Sequence, residues 1–250
     1  MTCHGLDHGN PCTCATLINA HIIPRGFARD MMGTQKQNFH VSLTNAKPTQ
    51  HGVFDPNILC GPCDSHLGQF DDYGVEISRR FEADHTSLVD QFYMPNVDGD
   101  KLAKFALAVL WRASISKRPE FSKIALGPYE DMARDVLFGM KSLADMPSYE
   151  LIVSRYYEVN ARRLYSSPSH VTDLGVNGWG FAVSGFKFVA KLDKRRWANL
   201  PIGTANPYVV NDKNYLAGFF VKFAGSVEHR ATLKMAGAQV ERTRKKAARK

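Results

Sequence analysis

The sequence has no cysteine after Cys63, and this uneven distribution is its most informative absence. All five cysteines lie in roughly the first quarter of the 250-residue chain: Cys3, Cys12, Cys14, Cys60 and Cys63. Structural disulfides are not expected in a reducing compartment, so clustered thiols indicate a metal site. Zinc suits such a site because four thiolates can close a tetrahedral structural centre.

Long apolar runs are also absent. The longest candidate, residues 105–111, is bounded by Lys104 and Arg112, whereas a membrane-spanning helix needs about 20 apolar residues. A secretion signal consists of a basic segment followed by an apolar stretch. The first residues of this sequence do not show that pattern. We therefore expect a cytoplasmic protein with no membrane partner. The sequence also has no internal repeat, glycine-rich phosphate loop or nucleophile elbow.

The overall composition is that of a globular protein with an excess of positive charge. The hydrophobic fraction is 44%, the charged fraction is 22%, and the formal net charge is +8. This charge favours a polyanionic partner. Part of the excess lies in the tail, residues 242–250. Such a run is either a solvated chain end or a sequence-independent contact with phosphates that weakens as salt rises.

The cysteines fall into two clusters. Cys60 and Cys63 are separated by two residues, and the intervening glycine and proline suit the turn that a zinc knuckle makes around its metal. The first cluster is less defined, because Cys12 and Cys14 are one residue apart and Cys3 can replace either. His4 and His8 add spare nitrogen ligands. The sequence leaves open which four of the five cysteines bind the metal.

The segment between the clusters carries a histidine in an apolar run. Residues 17–23 predict a strand that contains His21 and ends at Pro24. The polar residues that follow, up to about Val53, predict an extended hairpin or loop. A helix is expected to open at Asp64, and Gly68 together with residues 71–74 predicts that this helix is short or split.

These residues resemble a known family. A His-Ile-Ile-Pro strand, then an asparagine, then Leu-Cys-x-x-Cys and a helix is similar to the HNH, or His-Me finger, endonucleases in their zinc-stapled form, over roughly residues 12–73. The resemblance implies a zinc-bound ββα, treble-clef-like finger that also holds one catalytic divalent ion, Mg²⁺ or Mn²⁺. It implies hydrolysis of phosphodiester bonds in DNA, an activity of phage and bacterial defence proteins.

The resemblance also implies roles for individual residues. His21 corresponds to the base that activates water, and Asn57 to the residue that holds the loop and the imidazole. Asp64 corresponds to the metal ligand on the helix, with His66 as the neighbouring alternative. Asp64 and His66 are two positions apart on a helix, so they point to different faces and are not expected to bind one metal together.

Two further features bear on the activity. Arg25 and Arg29 are candidates for phosphate contact, with an ordinary surface role as the alternative for each. Ala20 stands where many family members carry an acidic residue. This substitution favours an alternative function, a catalytically inactive zinc-finger module that binds nucleic acid or a protein partner.

The rest of the chain predicts helices and then strands, so we expect the α+β class. Helices are predicted at residues 101–116 and 127–144, and strands of a mostly antiparallel sheet at 151–157, 179–183, 186–190 and 218–223. The predicted units are a finger at 1–80, an α+β domain of unknown role at 81–240 and a basic tail at 241–250. In a third interpretation the finger is only structural and the sheet is the binding surface.

Overall fold

The computed structural model describes residues 2–32, 38–42, 46–49, 52–171, 175–198, 206–226, 228–230 and 232–233. Within these residues the protein is a mixed α+β structure, as the sequence predicted. The predicted basic tail at 241–250 lies outside the described residues. Among the helices that the structure describes, none has the length and apolar character needed to cross a membrane.

Short elements dominate the N-terminal part of the chain. They are β1 (Leu6–Asp7), β2 (Asn10–Pro11), β3 (Ala20–His21), α1 (Arg25–Met32), β4 (Asn38–Val41), β5 (Ala46–Thr49) and β6 (Phe54–Asp55). β1 pairs with β2, and β3 pairs antiparallel with β6. The strand predicted at 17–23 is thus only two residues long. Helix α1 occupies part of the stretch predicted to be irregular, while β4 and β5 form the expected hairpin.

Helix α2 (Gly61–Asp84) is a single helix of 24 residues, so the prediction of a short or split helix was wrong. The physical reason is close packing against α3 (Gly99–Ile115). A Cβ atom added to Gly74 would lie 2.7 Å from the ring of Phe105. Gly74 therefore allows the two helices to approach, and this contact offsets the cost of glycine in a helix interior.

Helix α3 agrees closely with its predicted range. The Asp98 carboxylate accepts a hydrogen bond from the Lys101 amide at 3.0 Å and so caps the first turn. Helix α4 (Glu130–Leu137) is shorter than the predicted 127–144. It ends before Gly139, which has a φ of +79°. This left-handed conformation is one that glycine adopts without steric cost and that stops a helix.

The other strands form the large sheet together with β4 and β5. They are β7 (Thr86–Leu88), β8 (Gln91–Pro95), β9 (Tyr149–Tyr156), β10 (Leu164–Ser166), β11 (Ser169–Val171), β12 (Gly178–Val183), β13 (Phe186–Leu192) and β14 (Tyr215–Val221). The order is β5-β4-β10-β12-β13-β9-β14-β8-β7, with β11 beside β12. The β10–β4 and β14–β9 pairs are parallel, and the other pairs are antiparallel.

One buried core joins the N-terminal elements to the sheet. Cys60, Phe105 and Leu216 belong to the same cluster of buried residues. The cysteine-bearing segment therefore packs against the large sheet through a shared core and is not a separate unit joined by a linker.

On β13, Phe186 and Phe188 are buried on this core. Lys187 between them is half-buried, but Val189 and Lys191 on its side of the strand are buried, so the strand is covered on both faces rather than on the one face that the sequence predicted.

Candidate functional site

The structure brings four of the five cysteine thiols together. The Sγ atoms of Cys3, Cys12, Cys60 and Cys63 all lie within 4.8 Å of one another, and all four side chains are buried. The Sγ atoms of Cys12 and Cys60 are 3.7 Å apart. A tetrahedral site with Zn–S bonds of about 2.3 Å places its sulfurs about 3.8 Å apart. The four cysteines can therefore hold a metal ion such as zinc.

A tight hairpin supplies the first two ligands. His8 and Gly9 turn the chain between β1 and β2 with φ values of 47° and 84°, the two positive values of a type I′ turn. This turn returns Cys12 to the level of Gly5, whose carbonyl accepts a hydrogen bond from the Cys12 amide at 3.0 Å. Cys3 and Cys12 thus lie side by side at the open end of the hairpin.

The start of α2 supplies the other two ligands. Cys60 is the residue before the helix and Cys63 lies in its first turn. The amides of Gly5 and Cys60 each donate to the Cys3 sulfur at 3.4 Å. Such donors, together with the positive end of a helix dipole, stabilise sulfur in its thiolate form. The local backbone is therefore arranged for negatively charged sulfur ligands.

Burial has the opposite effect on the metal-free thiols. Desolvation raises the pKa of Cys60 to about 11 and also raises the pKa of Cys63. The pKa of Cys12 is lowered, chiefly because the Cys14 backbone amide donates to its sulfur. Several thiolates cannot be buried together without a compensating cation. The charged form of this cluster therefore requires a metal ion.

The remaining candidate ligands lie outside this group. The Cys14 thiol donates to the Thr16 carbonyl at 3.5 Å, and His8 lies on the exposed hairpin turn. The backbone amide of His4 bonds to the Ile58 carbonyl, and its imidazole is not among the four grouped ligands. Cys3, rather than Cys14, thus completes the group of four adjacent thiols.

His21 lies on the β3–β6 pair that leads into α2. Its register partner is Phe54, and the two ring centroids are 5.9 Å apart. Leu17 forms an isolated bridge with Cys60, which connects this pair to the cysteine cluster. The chain therefore contains two antiparallel strands followed by a helix, with a half-buried histidine on the first strand.

Two carboxylates and a buried guanidinium lie on the adjoining helices. Asp64 and Asp71 are seven residues apart on α2, which is two helical turns and hence the same face. Arg112 of α3 is fully buried and donates to both oxygens of Asp71, at 2.6 and 2.7 Å. Burial raises the pKa of Asp71, and Arg112 and, more weakly, His21 oppose that rise.

The Asp64 carboxylate differs from that of Asp71 in having no direct partner. Asp64 is half-buried, and its backbone amide donates to the Cys60 carbonyl at 3.0 Å, but its carboxylate forms no hydrogen bond or ion pair with another described residue. Burial raises the pKa of Asp64, Arg112 lowers it through space, and Asp71 raises it further. Asp64 is therefore the carboxylate of this pair that remains available to a ligand.

The loop at Asn57 is held by Asp55. Asp55 is buried, accepts a hydrogen bond from the Asn57 backbone amide at 2.8 Å and accepts another from the Ser116 hydroxyl at 2.6 Å. The Asn57 side chain is exposed. The Asp55 carboxylate thus holds this loop, and Asn57 contributes its backbone amide to that contact.

His66 faces away from Asp64, as their spacing predicted. Its Nε2 atom lies 3.0 Å from the Leu137 carbonyl, and its ring stacks on Phe138 with a centroid distance of 5.2 Å. His66 therefore contacts the carboxyl end of α4, whereas Asp64 lies beside Arg112.

The two arginine candidates lie on α1, directly after β3. Arg25 and Arg29 are both exposed and are four residues apart, so they share one helix face. This face begins only four residues after His21 in the chain. Two cations thus occupy the surface next to the histidine-bearing strand.

The pairing of Arg112 is not predicted by the sequence, where Arg112 only marks the end of the apolar run at 105–111. The other buried residues of α3 are apolar. An arginine on the apolar face of a core helix is a usable signal, because a buried guanidinium requires a paired carboxylate. That signal predicts a partner but not which of the many acidic residues it is.

Comparison with known proteins identifies no relative of this chain. No protein-family model, no curated protein sequence and no solved structure matches it.

Proposed function

We propose that this protein is a metal-dependent endonuclease of the HNH type that hydrolyses phosphodiester bonds in DNA. One observation carries the proposal: the antiparallel pair β3–β6, with His21 on it, runs through Cys60 directly into α2, which bears Asp64. This is the ββα order that the motif resemblance implies. The net charge of +8 and the exposed Arg25 and Arg29 support a nucleic-acid partner.

In this proposal the cysteines bind structural zinc. Cys3 and Cys12 hold the hairpin, Cys60 and Cys63 hold the start of α2, and a shared metal fixes one to the other. Strand β3, which carries His21, is connected to the same cysteine cluster through the Leu17–Cys60 bridge. The zinc thus sets where α2 begins relative to β3, and so sets the relation between His21 and Asp64.

The chain's own residues then perform the chemistry. His21 accepts a proton from the attacking water, which requires the neutral imidazole. Asp64 holds the catalytic cation, and a hard carboxylate oxygen is the ligand that Mg²⁺ and Mn²⁺ prefer. When bound, that ion supplies positive charge to the phosphate oxygens during hydrolysis. Arg25 and Arg29 contact flanking phosphates.

A second candidate function is a zinc-finger module that binds nucleic acid without cleaving it. Two observations favour it. Ala20, the residue before His21, is fully buried and has no ligand atom. Asp71, the other carboxylate on the Asp64 face, is already paired with Arg112. A catalytic ion would then depend on Asp64 and on oxygens of the substrate.

Cleavage of supercoiled plasmid by the purified protein with Mg²⁺ or Mn²⁺ tests the proposal. We expect nicking or linearisation that falls by at least about 100-fold in His21→Ala, the scale of general-base catalysis. Plasmid cleavage by Asp64→Asn should fall by a similar factor. The matched control is His170→Ala, which removes an exposed histidine on β11 and should cleave like the parent. Zinc content is measured on every sample.

Two outcomes contradict the nuclease. If His21→Ala cleaves like the parent, His21 is not the base. If the parent and all variants are inert yet bind DNA with a steep salt dependence, the protein is a binding module.

A further inference from the structure

A polar cleft lies at the amino-terminal end of α3. Arg112, which together with His21, Asp64 and Asp71 we call the His21 group, lies near the carboxyl end of the same helix. The cleft has a volume of about 990 Å³, and Asp100 in the first turn of α3 forms part of its wall. Arg112, which pairs with Asp71, is twelve residues further along the same helix. At about 1.5 Å per residue the two positions are about 18 Å apart. The cleft and the proposed catalytic residues therefore belong to separate regions.

A buried ion pair shapes one wall of the cleft. The Lys191 side chain is almost completely buried, and its Nζ atom lies 3.0 Å from Glu150 and donates to the Arg195 carbonyl at 3.1 Å. The Trp197 indole N–H donates to the same Glu150 carboxylate. These contacts fasten residues 193–197 to the sheet, and they neutralise Glu150 so that it does not repel an anion.

The fastened segment presents cations outward. Arg195 forms an ion pair with Asp193, in which the Arg195 Nη2 atom lies 2.5 Å from the Asp193 Oδ2 atom. Lys194 and Arg196 on either side of it line the cleft and are exposed. Neither makes a hydrogen bond or ion pair with any residue that the structure describes. Lys213 adds a third cation from the facing loop, 3.8 Å from the exposed Asp212.

The other polar groups of the cleft are already used. The Asn211 side chain accepts from the Leu151 amide and donates to the Tyr149 carbonyl. No buried side-chain nitrogen or oxygen without a partner lies in the cleft, as far as the described residues extend.

The cleft also carries two carboxylates, Asp100 and Asp212, which lie 2.7 Å from Lys104 and 3.8 Å from Lys213. The charged groups of the cleft left without a partner among the described residues are therefore Lys194 and Arg196, and neither is held in a fixed geometry that reads a base edge. This favours contact with phosphates in a sequence-independent manner.

We propose that Lys194, Arg196 and Lys213 form a binding site for the phosphate backbone of nucleic acid. Its position, about 18 Å along α3 from Arg112, makes it a second contact that does not require cleavage. This binding site therefore goes beyond the proposed nuclease activity, and it can be confirmed or rejected independently of that activity. A free polyphosphate has the same chemistry and is the other source of such a ligand.

The test is fluorescence anisotropy of a labelled 20-bp duplex, measured in EDTA over a range of salt concentrations. Lys194→Gln/Arg196→Gln removes two cations from the cleft. The matched control Lys123→Gln/Arg163→Gln removes two exposed cations elsewhere, so both variants change the net charge equally. Because all four residues are exposed, both variants should fold, which a melting curve verifies.

We expect the cleft variant to bind at least about tenfold more weakly at 100 mM salt. The slope of log Kobs against log salt should fall in magnitude by about 1.8, since each phosphate contact contributes about 0.9. The control should stay within about twofold of the parent. An equal loss in both variants, or no loss in the cleft variant, overturns the proposal. Displacement of the duplex by micromolar tripolyphosphate would also overturn it, because the ligand would then be a small polyphosphate.

Discussion

The cysteine cluster and the His21 group show two different ways of placing ligands. In the cluster, four sulfurs converge within 4.8 Å of one another, and their neighbours include backbone amides that donate to sulfur. In the His21 group, Asp71 is neutralised by Arg112 and only Asp64 is left without a direct partner. The first arrangement brings together four sulfur atoms that can hold a metal ion such as zinc. The second leaves one carboxylate, that of Asp64, without a paired cation among the described residues.

The strands near the cysteine cluster are also much shorter than those of the large sheet. Strands β1, β2, β3 and β6 have two residues each, whereas β9 has eight. Two-residue strands contribute few ladder hydrogen bonds and little buried area, so they need another source of stability. We infer that a metal adds to the shared core in stabilising the cysteine hairpin, whereas the long strands of the sheet are stabilised by the core and by their own ladders.

The largest expected effect comes from removing one ligand with Cys60→Ser. Structural zinc sites contribute about 10–16 kcal/mol of binding free energy, so the hairpin should lose its order while the sheet keeps it. Hydrogen exchange measures this directly: the Cys12 and Ile18 amides should lose protection, and amides of β13 should keep theirs. The control Cys14→Ser should leave both regions protected. Uniform loss across the sheet, or no loss in the hairpin, would show that the two regions are not separately stabilised.

Breaking the buried ion pair with Arg112→Met should have the next largest effect. It leaves the Asp71 carboxylate buried without a partner, which typically costs about 3–5 kcal/mol of unfolding free energy. Urea denaturation measures the loss. The double variant Arg112→Met/Asp71→Leu should recover most of it, because neither charge then remains. A single variant that loses less than about 1 kcal/mol would contradict the assigned pairing.

Metal binding should strengthen as pH rises. Burial raises the pKa of Cys60 to about 11 and raises that of Cys63, so these thiols are protonated near pH 7 in the metal-free protein. Binding must displace those protons, and each proton makes the affinity change about tenfold per pH unit. Calorimetric titration of zinc in buffers of different ionisation enthalpy counts the protons released. Release of none near pH 7 would mean that the thiols are already ionised or do not bind.

A smaller effect is expected from Gly5→Ala. The added methyl group would lie 2.5 Å from the Cys63 sulfur, and overpacking of this kind costs about 1–3 kcal/mol. Competition with a chromogenic chelator should show weaker zinc retention than in the parent. The exposed Gly139→Ala is a poor control because of its positive φ, so Gly61→Ala, which has open space around it, serves instead. Equal retention in all three proteins would contradict the close approach of Gly5.

The sequence predicted the parts of this fold that local patterns determine. The predicted helix at 101–116 and the predicted strand at 186–190 lie close to α3 and β13, because the signal and the structure lie in the same few residues. The Cys60–Cys63 knuckle was recognisable for the same reason. The predicted boundaries of β3 and α4 were too long, because tertiary contacts rather than local propensity end them.

Long-range pairings account for most of what the sequence did not predict. Gly74 was read as a helix breaker, and only the approach of Phe105 from α3 explains why the helix continues. The choice of Cys3 over Cys14 depends on a hairpin whose register cannot be read from spacing alone. The partnership of Arg112 with Asp71 spans 41 positions of the chain.

Metal analysis of three purified proteins tests the central claim most directly. The parent, Cys14→Ser and Cys60→Ser would be measured by native mass spectrometry and elemental analysis. The structure predicts one zinc per chain in the parent and in Cys14→Ser, and none in Cys60→Ser. Zinc lost from Cys14→Ser, or absent from the parent, would contradict a metal site made of Cys3, Cys12, Cys60 and Cys63.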